Sequence, residues 1–410
     1  MIMSIQLNRG QQAAFDAAVD WYYNSSSTLF QIASEAGCGK SVLVGEIVRA
    51  LRLKQEEILP MAYTGQAAIV MRTHGLPNAC TCHSGLFDPI QVPLRDTRGA
   101  IMMDERFNIP LVRYEFRPKD LRNSNIKLII LDEAWMIPKS FKKHIDATGI
   151  KVIATGDQGQ LPPIAEEPGY LVGDNIFYLT ELMRQSMDSP LVYLAHKARA
   201  GYPIGYGLYG NDVLVISEDE LTDEMIAKAD VVLCGTNATR NNINNRVRQG
   251  IYKIYSNTPV YRDRIICRKN NWAKSVGNIA LVNGLVGTVY TPPDISTYDK
   301  NRHTVSIDFL PDMCRVPFNN LEINFEFLMQ DNPEIKNNIR KSPFTRGELF
   351  EFAYASTVHL AQGSEYNYGI YIEEYLGGNV EAALNYTAIT RFKKKMIYVK
   401  RTPKFWVDKY

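Results

Sequence analysis

Lys40 and Ser41 close a short stretch rich in small residues, Ser34-Glu35-Ala36-Gly37-Cys38-Gly39-Lys40-Ser41. Its two glycines let backbone N–H groups converge on phosphate oxygens, and the N-terminus of a following helix adds its positive end. In that setting Lys40 can reach β- and γ-phosphates, and the Ser41 hydroxyl can ligate Mg²⁺. The pattern G-x-x-x-x-G-K-[ST] is met at Gly39, Lys40 and Ser41, with Ser34 in place of the first glycine. An ordinary Gly-rich turn before a helix is the alternative. Asp132 and Glu133 form the second group. Asp132 can hold Mg²⁺ through water, and Glu133 can orient an attacking water as a general base. A capping acidic pair at a strand–helix turn would read the same in isolation. Gln160, in Gly156-Asp157-Gln158-Gly159-Gln160-Leu161-Pro162-Pro163, can sense a γ-phosphate. Arg184 and Arg391 are candidate fingers for transition-state charge, and surface arginines without that context.

The elements that must position these groups are legible around them. The apolar run Leu29-Phe30-Gln31-Ile32-Ala33 precedes the Gly-rich turn, and the amphipathic run Val42-Leu43-Val44-Gly45-Glu46-Ile47-Val48-Arg49-Ala50-Leu51 follows it. Strand, turn, helix is the order a phosphate loop needs. Ile126-Lys127-Leu128-Ile129-Ile130-Leu131 reads as a buried strand of a parallel sheet. It delivers Asp132 and Glu133 at its C-terminal end, where open α/β sheets bind ligands. Val152-Ile153-Ala154-Thr155-Gly156-Asp157 repeats the format. Upstream, Asn8 is placed to cap a helical pattern over 13–23. Gln11 either reads an adenine edge through its amide or is a solvated helix-start residue. Thr64-Gly65-Gln66-Ala67-Ala68 and Thr81-Cys82-His83-Ser84 follow further apolar runs. Such polar strand ends suit contacts to a nucleic-acid backbone, or are turns and caps.

The second half repeats the alternation without a second phosphate loop. Ala229-Asp230-Val231-Val232-Leu233-Cys234 and Phe352-Ala353-Tyr354-Ala355-Ser356-Thr357 read as buried strands, and Lys393-Lys394-Lys395 as a solvated loop or a nucleic-acid contact. Residues 280–289 predict a hairpin around Asn283-Gly284. Prolines punctuate 86–118 and 290–345, which predicts two β-rich insertions.

With 410 residues, roughly two to four domains are expected. A net charge of +2 does not announce a nucleic-acid binder, so any basic track must be local. Six scattered cysteines fit a reducing compartment better than a disulfide framework. Cys80-Thr81-Cys82-His83 lacks a second cluster to complete a zinc site. No segment reaches the ~18 apolar residues of a membrane span, and Met1-Ile2-Met3-Ser4 lacks a signal peptide's regions.

In their order along the chain, these motifs resemble superfamily 1 helicases of the RecD/Dda-like, 5′-to-3′ branch. The residues that carry the resemblance are Gln11, Ala36-Gly37-Cys38-Gly39-Lys40-Ser41, Thr64-Gly65-Gln66-Ala67-Ala68, Thr81-Cys82-His83-Ser84 and Asp132-Glu133-Ala134. They continue with residues 156–163, Arg184-Gln185, Asn283-Gly284, Thr357-Val358-His359-Leu360-Ala361-Gln362-Gly363-Ser364 and Ala388-Ile389-Thr390-Arg391. The resemblance implies an α/β fold of two RecA-like parallel-sheet domains in tandem, with ATP in the cleft between them. It implies a first domain over 1–85 and 119–188 with a β-hairpin pin over 86–118. The second would cover 189–287 and 347–410, with an SH3-like β-barrel insertion over 288–346.

Carried over residue by residue, Gln11 reads adenine, and Ala36, Gly37, Cys38, Gly39, Lys40 and Ser41 hold the phosphates. Ser41 and Asp132 hold Mg²⁺, Glu133 handles the water, and Glu365 falls near the ribose. Gln160 contacts the γ-phosphate, and Arg184 and Arg391 reach it as fingers. Thr64, Thr81, His83, Thr357 and His359 line the single-strand track. Three positions depart from the family pattern: Ser34 for a glycine, Tyr63 for a common proline, and Leu360 for a usual lysine.

The resemblance implies an ATP-dependent DNA helicase acting on single-stranded DNA and forked duplex DNA. It implies a monomer, cytoplasmic in a bacterial or phage-infected cell, working beside replication or recombination proteins such as a single-strand binding protein. One rival is a single-strand-dependent translocase that displaces proteins or serves a recombination complex. Another is a P-loop kinase or switch, which would not need Gln160, His359 or two distant arginines.

Overall fold

Leu128, Ile129, Ile130 and Leu131 are all fully buried. A strand covered on both faces belongs in the middle of a parallel sheet, and Leu128–Asp132 is flanked by Lys151–Gly156 and Ile58–Ala62. The whole sheet runs Ile176–Leu179, Leu29–Ser34, Lys151–Gly156, Leu128–Asp132, Ile58–Ala62, Cys80–Thr81. Every neighbouring pair is parallel. Ala33 pairs with Gly156 and Ala62 with Asp132, so the polar turns leave the sheet along one edge. Helices Arg9–Asn24 and Lys40–Leu51 cover one face through Ala14, Ala18, Leu43 and Ile47. Burial of Leu43 and of Ile47 contributes about 1.5–3 kcal/mol each.

The computed structural model describes residues 7–35, 37–104, 109–181, 188–256, 258–277, 279–294, 296, 298–300, 303–312, 314–342, 345–377 and 380–401. The chain divides into two units. One comprises Met1–Cys82, Leu121–Lys253 and Tyr354–Tyr410; the other comprises His83–Asp120 and Ile254–Ala353.

The first unit holds a second six-stranded sheet. Its order is Gly207–Tyr209, Val213–Ser217, Phe392–Lys400, Tyr366–Ile372, Val231–Cys234, Ala355–Thr357. All its pairs are parallel except the antiparallel edge strand Gly207–Tyr209. Successive strand side chains point to opposite faces, and Phe392–Lys400 obeys this. Met396 and Tyr398 join the core under helices Pro190–Arg199 and Val380–Ile389, whereas Ile397 and Val399 join the core on the other face. Two parallel α/β sheets in tandem are the expected fold class.

The second unit is antiparallel. Phe87–Pro93 pairs with Val112–Pro118 over seven residue pairs, from Phe87↔Pro118 to Pro93↔Val112. A five-stranded sheet runs Phe318–Asn324, Thr304–Pro311, Val286–Thr291, Arg264–Cys267, Phe350–Phe352. Two of these strands lie outside the 288–346 span expected for the insertion. The hairpin expected at 280–289 does not form. Ile279–Leu281 pairs back to Asn271–Val276, while Val286–Thr291 pairs with Arg264–Cys267 and Thr304–Pro311. The turn itself is there, with Gly284 at φ 91, but it links two sheets. Gly287 explains part of this choice. A Cβ there would lie 2.2 Å from Leu310 O, so only glycine lets the two strands approach.

Candidate active site

The strand Leu29–Ser34 ends in the turn that carries Gly37 at φ 86 and Gly39 at φ 73. Both values lie in the left-handed region that glycine enters without a Cβ penalty. Gly39 caps helix Lys40–Leu51, which aims the helix N-terminus at the turn. Ser34 is still in the strand, in register with Leu179, and does not have positive φ. Serine at the first-glycine position is therefore unstrained. Ala36 lies outside the described residues.

Gln11 has a different position from the one expected. It is buried, and its side-chain amide donates to Cys38 O at 3.0 Å and Gly39 O at 3.4 Å. Its Oε1 accepts from Asn8 N at 3.0 Å, and Asn8 Oδ1 accepts from Gln11 N at 2.7 Å. This reciprocal capping box turns the amide onto the phosphate loop, which it braces, rather than toward an adenine edge. Cys38 also points inward. It packs in the core of the first sheet, and burial pushes its thiol up to about 11.

The remaining groups converge. Lys40 Nζ lies 3.5 Å from Asp132 Oδ1 and 3.8 Å from Glu133 Oε2. Burial opposes the Lys40 charge, but Glu133, Asp132 and Asp157 outweigh it, and the pKa is raised. Asp132 is oriented by Glu133 N at 3.0 Å and by the Thr155 hydroxyl at 3.1 Å. Glu133 adopts φ 49, ψ 41 at the start of the turn Ala134–Met136. A non-glycine residue held there costs on the order of 1–3 kcal/mol, and such strain gathers at functional sites.

From the second sheet, Arg391 Nη1 reaches within 3.8 Å of Glu133 Oε1. Its Nη2 donates to Gln160 Oε1 at 2.9 Å, and its Nε donates to Thr387 O at 3.2 Å. Gln160 is fixed from behind, because its carbonyl accepts from Trp135 Nε1 at 3.0 Å. A cavity of about 260 Å³ is lined by Gly37, Gly39, Lys40, Ser41, Asp132, Glu133, Gln160, Glu365 and Arg391. Glu365 is exposed there and pairs with Lys393.

The structure sets the other expected residues apart from this cavity. Thr64, Thr81 and Thr357 stand at the C-terminal ends of their strands. Thr64 accepts from Ala67 N as a helix cap and donates to Gln362 O at 3.3 Å. Thr81 and Thr357 are only 7% and 6% exposed, so their hydroxyls are nearly covered. His359 is half-buried, and burial lowers its pKa. His83 opens the second unit, ringed by Phe87 and Phe116 at 6.4 and 6.1 Å, and its pKa is lowered for the same reason. Arg184 lies outside the described residues. Sequence reasoning overlooked Thr155 and Thr387. Thr155 followed an apolar run as a plain strand residue, although a threonine beside a candidate metal carboxylate was a usable signal. Thr387 Oγ1 accepts from Leu161 N across 226 residues, and nothing local announces it.

Residues 16–166 match the family profile of an AAA domain. A search of curated proteins finds no match. Solved structures match over nearly the whole chain. The Pif1 helicase from Candida albicans is 16% identical, with TM-score 0.53 over 97% of this chain and 94% of that one. The Pif1 helicase from Bacteroides in complex with ADP-AlF3 and ssDNA is 15% identical, with TM-score 0.55 over 96% and 92%. The chain has the fold of the Pif1 helicases. On the Pif1 fold its two parallel sheets are the two RecA-like domains, and the cavity lies where residues of both meet. A further Pif1 structure, solved for DNA unwinding at forked dsDNA by two coordinating helicases, is 16% identical with TM-score 0.54. Among the described residues no helix is long and apolar enough to cross a membrane.

Proposed function

We propose that this chain is an ATP-dependent helicase that moves 5′-to-3′ on single-stranded DNA and unwinds forked duplex. One junction carries the reading. Lys40 and Glu133 of the first sheet lie 3.8 Å apart, and Arg391 of the second sheet lies 3.8 Å from Glu133 while bonded to Gln160. A γ-phosphate held there would touch groups from both sheets. Its presence favours closure and its hydrolysis removes that preference.

Within the junction each residue has a role its surroundings permit. Lys40 stays charged and faces the phosphates. Glu133, backbone-locked and flanked by two cations, orients a water and takes its proton. Arg391 and Gln160 meet the charge that develops on the γ-phosphoryl group. Ser41 and Asp132 suit Mg²⁺, because both offer oxygen donors to the cavity and Thr155 fixes the carboxylate. Bound there, Mg²⁺ would neutralise charge on the phosphate oxygens.

The strand track is proposed along the ends of the parallel strands, at Thr64, Thr81, Thr357 and His359, and His83 of the second unit is proposed as a strand contact by itself. With both histidine pKa values lowered, the rings are neutral near pH 7 and offer hydrogen bonds and stacking, not charge. The antiparallel hairpin of 87–118 is proposed as the pin. Duplex stacking averages roughly 1.4 kcal/mol per step, which one ATP per step exceeds.

The test pairs ATP turnover with unwinding of 5′-tailed and 3′-tailed duplexes. Single-stranded DNA should stimulate hydrolysis, and only the 5′-tailed duplex should open. Turnover indifferent to DNA would overturn the helicase reading. Opening of the 3′-tailed duplex would overturn the polarity.

A further inference from the structure

A second connection crosses between the two RecA-like domains at the rim of the cavity, apart from the Lys40–Glu133–Arg391 junction. Glu35 belongs to the phosphate loop, and both its oxygens are held. Oε2 lies 2.8 Å from His196 Nδ1, and Oε1 lies 3.0 Å from Arg199 Nη1. His196 and Arg199 sit on helix Pro190–Arg199, which packs in the core of the second sheet. The Glu35 carboxylate can only accept, so His196 Nδ1 is the nitrogen that donates to it; among the described residues Nε2 is buried without a hydrogen-bond partner.

Arg199 continues the connection. Its Nη1 lies 3.5 Å from Asp157 Oδ1, and Asp157 is 2% exposed. The other Asp157 oxygen accepts from the Tyr386 hydroxyl, and the Arg199 guanidinium lies 5.6 Å from the Tyr386 ring centre. Tyr386 belongs to helix Val380–Ile389, which leads directly into Arg391. Gly159 makes room for this arrangement. A Cβ there would meet Arg199 Nε at 2.9 Å.

Glu35 and Asp157 both line the cavity. Two uncompensated carboxylates there would repel each other and push apart the loops that carry them. Arg199 removes that repulsion and joins three segments at once. We propose that Arg199 is a positioning residue that clamps the phosphate loop, through Glu35, to the helix of the finger, through Asp157 and Tyr386. The clamp rests on the ATPase reading above. It acts on placement of Arg391, not on nucleotide binding.

The experiment is a double-mutant cycle on DNA-stimulated ATP turnover, with melting temperature recorded for each protein. Arg199→Ala and Glu35→Ala should each lower kcat by about tenfold or more, as misplacement of a reacting group does. KM for ATP should stay within about twofold, because the lost interaction is not a ground-state contact. The double variant should be no worse than the poorer single one, since both remove the same connection. Arg199→Lys should recover only part, because an ammonium lacks the planar guanidinium that lies against the Tyr386 ring. Hydrogen exchange of residues 34–41 gives a readout independent of turnover, and it should rise in both single variants, more in Glu35→Ala, which also loses His196. Additive losses, a pure KM effect, or unchanged exchange would each overturn the clamp. A wild-type protein without ATPase activity would overturn the functional reading alone, and the exchange data would still decide the clamp.

Discussion

Two strand–turn–helix units in this chain have the same layout and opposite contents. The strand Leu29–Ser34 turns through Gly37 and Gly39 into helix Lys40–Leu51, and the turn faces a cavity. The strand Val231–Cys234 turns through Gly235 and Thr236 into helix Asn237–Asn245, and the turn is filled by Glu374. Glu374 Oε2 accepts from Gly235 N at 2.5 Å and Thr236 N at 2.7 Å. Its Oε1 accepts from Thr236 and Thr239 hydroxyls at 3.0 and 2.6 Å and from Arg401 at 2.8 Å. A helix N-terminus attracts an anion in either case. At the second turn the chain supplies that anion itself, and Glu374 is 4% exposed. One turn faces an open cavity; the other is closed by its own carboxylate.

The largest effect expected from this contrast is on chemistry at the open turn. Lys40→Ala should lower DNA-stimulated turnover by at least about 10²–10³-fold, the loss typical of a preorganised charge-stabilising group. Glu133→Gln should lower it by about 10²–10⁴-fold, as loss of a general base does. Phosphate release measured beside the melting temperature checks both, since neither variant should unfold. Retained turnover in both would remove the open turn from the active site.

At the closed turn the effect should fall on folding. Glu374→Ala leaves two backbone N–H groups, two hydroxyls and Arg401 facing a buried gap. Removing one partner of a buried charge pair costs about 3–5 kcal/mol. Chemical denaturation should show that loss, while nucleotide still binds at Lys40. A variant as stable as the wild type would mean that the Glu374 bonds are replaceable by water.

The glycines sharpen the comparison with a smaller effect. Gly39 has φ 73, so Gly39→Ala should cost about 1–2 kcal/mol of backbone strain. That cost falls in the turn proposed to hold the nucleotide and should weaken nucleotide affinity by roughly five- to thirtyfold. Gly235 does not have positive φ, and a Cβ there would meet Glu374 Oε2 at 3.1 Å and Leu384 at 3.3 Å. Gly235→Ala should therefore lower stability by crowding and leave nucleotide affinity alone. Titration with a fluorescent nucleotide separates the two.

The same contrast marks what was legible in the sequence. The open turn was visible because everything that defines it is local: an apolar strand, two glycines, a lysine and an amphipathic helix. Leu128–Asp132 was visible for the same reason, as an unbroken apolar run ending in two carboxylates. The closed turn was invisible because Glu374 lies 139 residues from Gly235. Gln11 shows an intermediate case. Its position before the loop was informative, but the direction of its amide depended on Asn8 and on the carbonyls of Cys38 and Gly39. Asn283-Gly284 shows another. The turn was coded locally, whereas pairing of the strands on either side was decided by Arg264–Cys267 and Asn271–Val276. Arg199 reads as one basic residue at the end of a helix until the fold brings Glu35 beside it.

The smallest expected effect uses the two thiols that sit in these turns. Cys38 is 1% exposed and its thiol is pushed up to about 11, chiefly by burial. Cys234 is fully buried and is pushed up to about 12, by burial first and then by the Glu374 charge. The thiolate is the reactive form, so a higher pKa means slower modification at a given pH, and both rates should climb as pH rises toward the pKa. The higher value at Cys234 makes its thiolate the scarcer of the two at pH 8. Time-resolved alkylation with peptide mapping should find Cys38 modified first. Glu374→Ala should narrow the gap by removing the nearby negative charge and loosening the closed turn. It should not change the rate at Cys38. Equal initial rates at the two thiols, or acceleration of both in Glu374→Ala, would mean that the two turns do not differ in closure as their hydrogen bonds indicate.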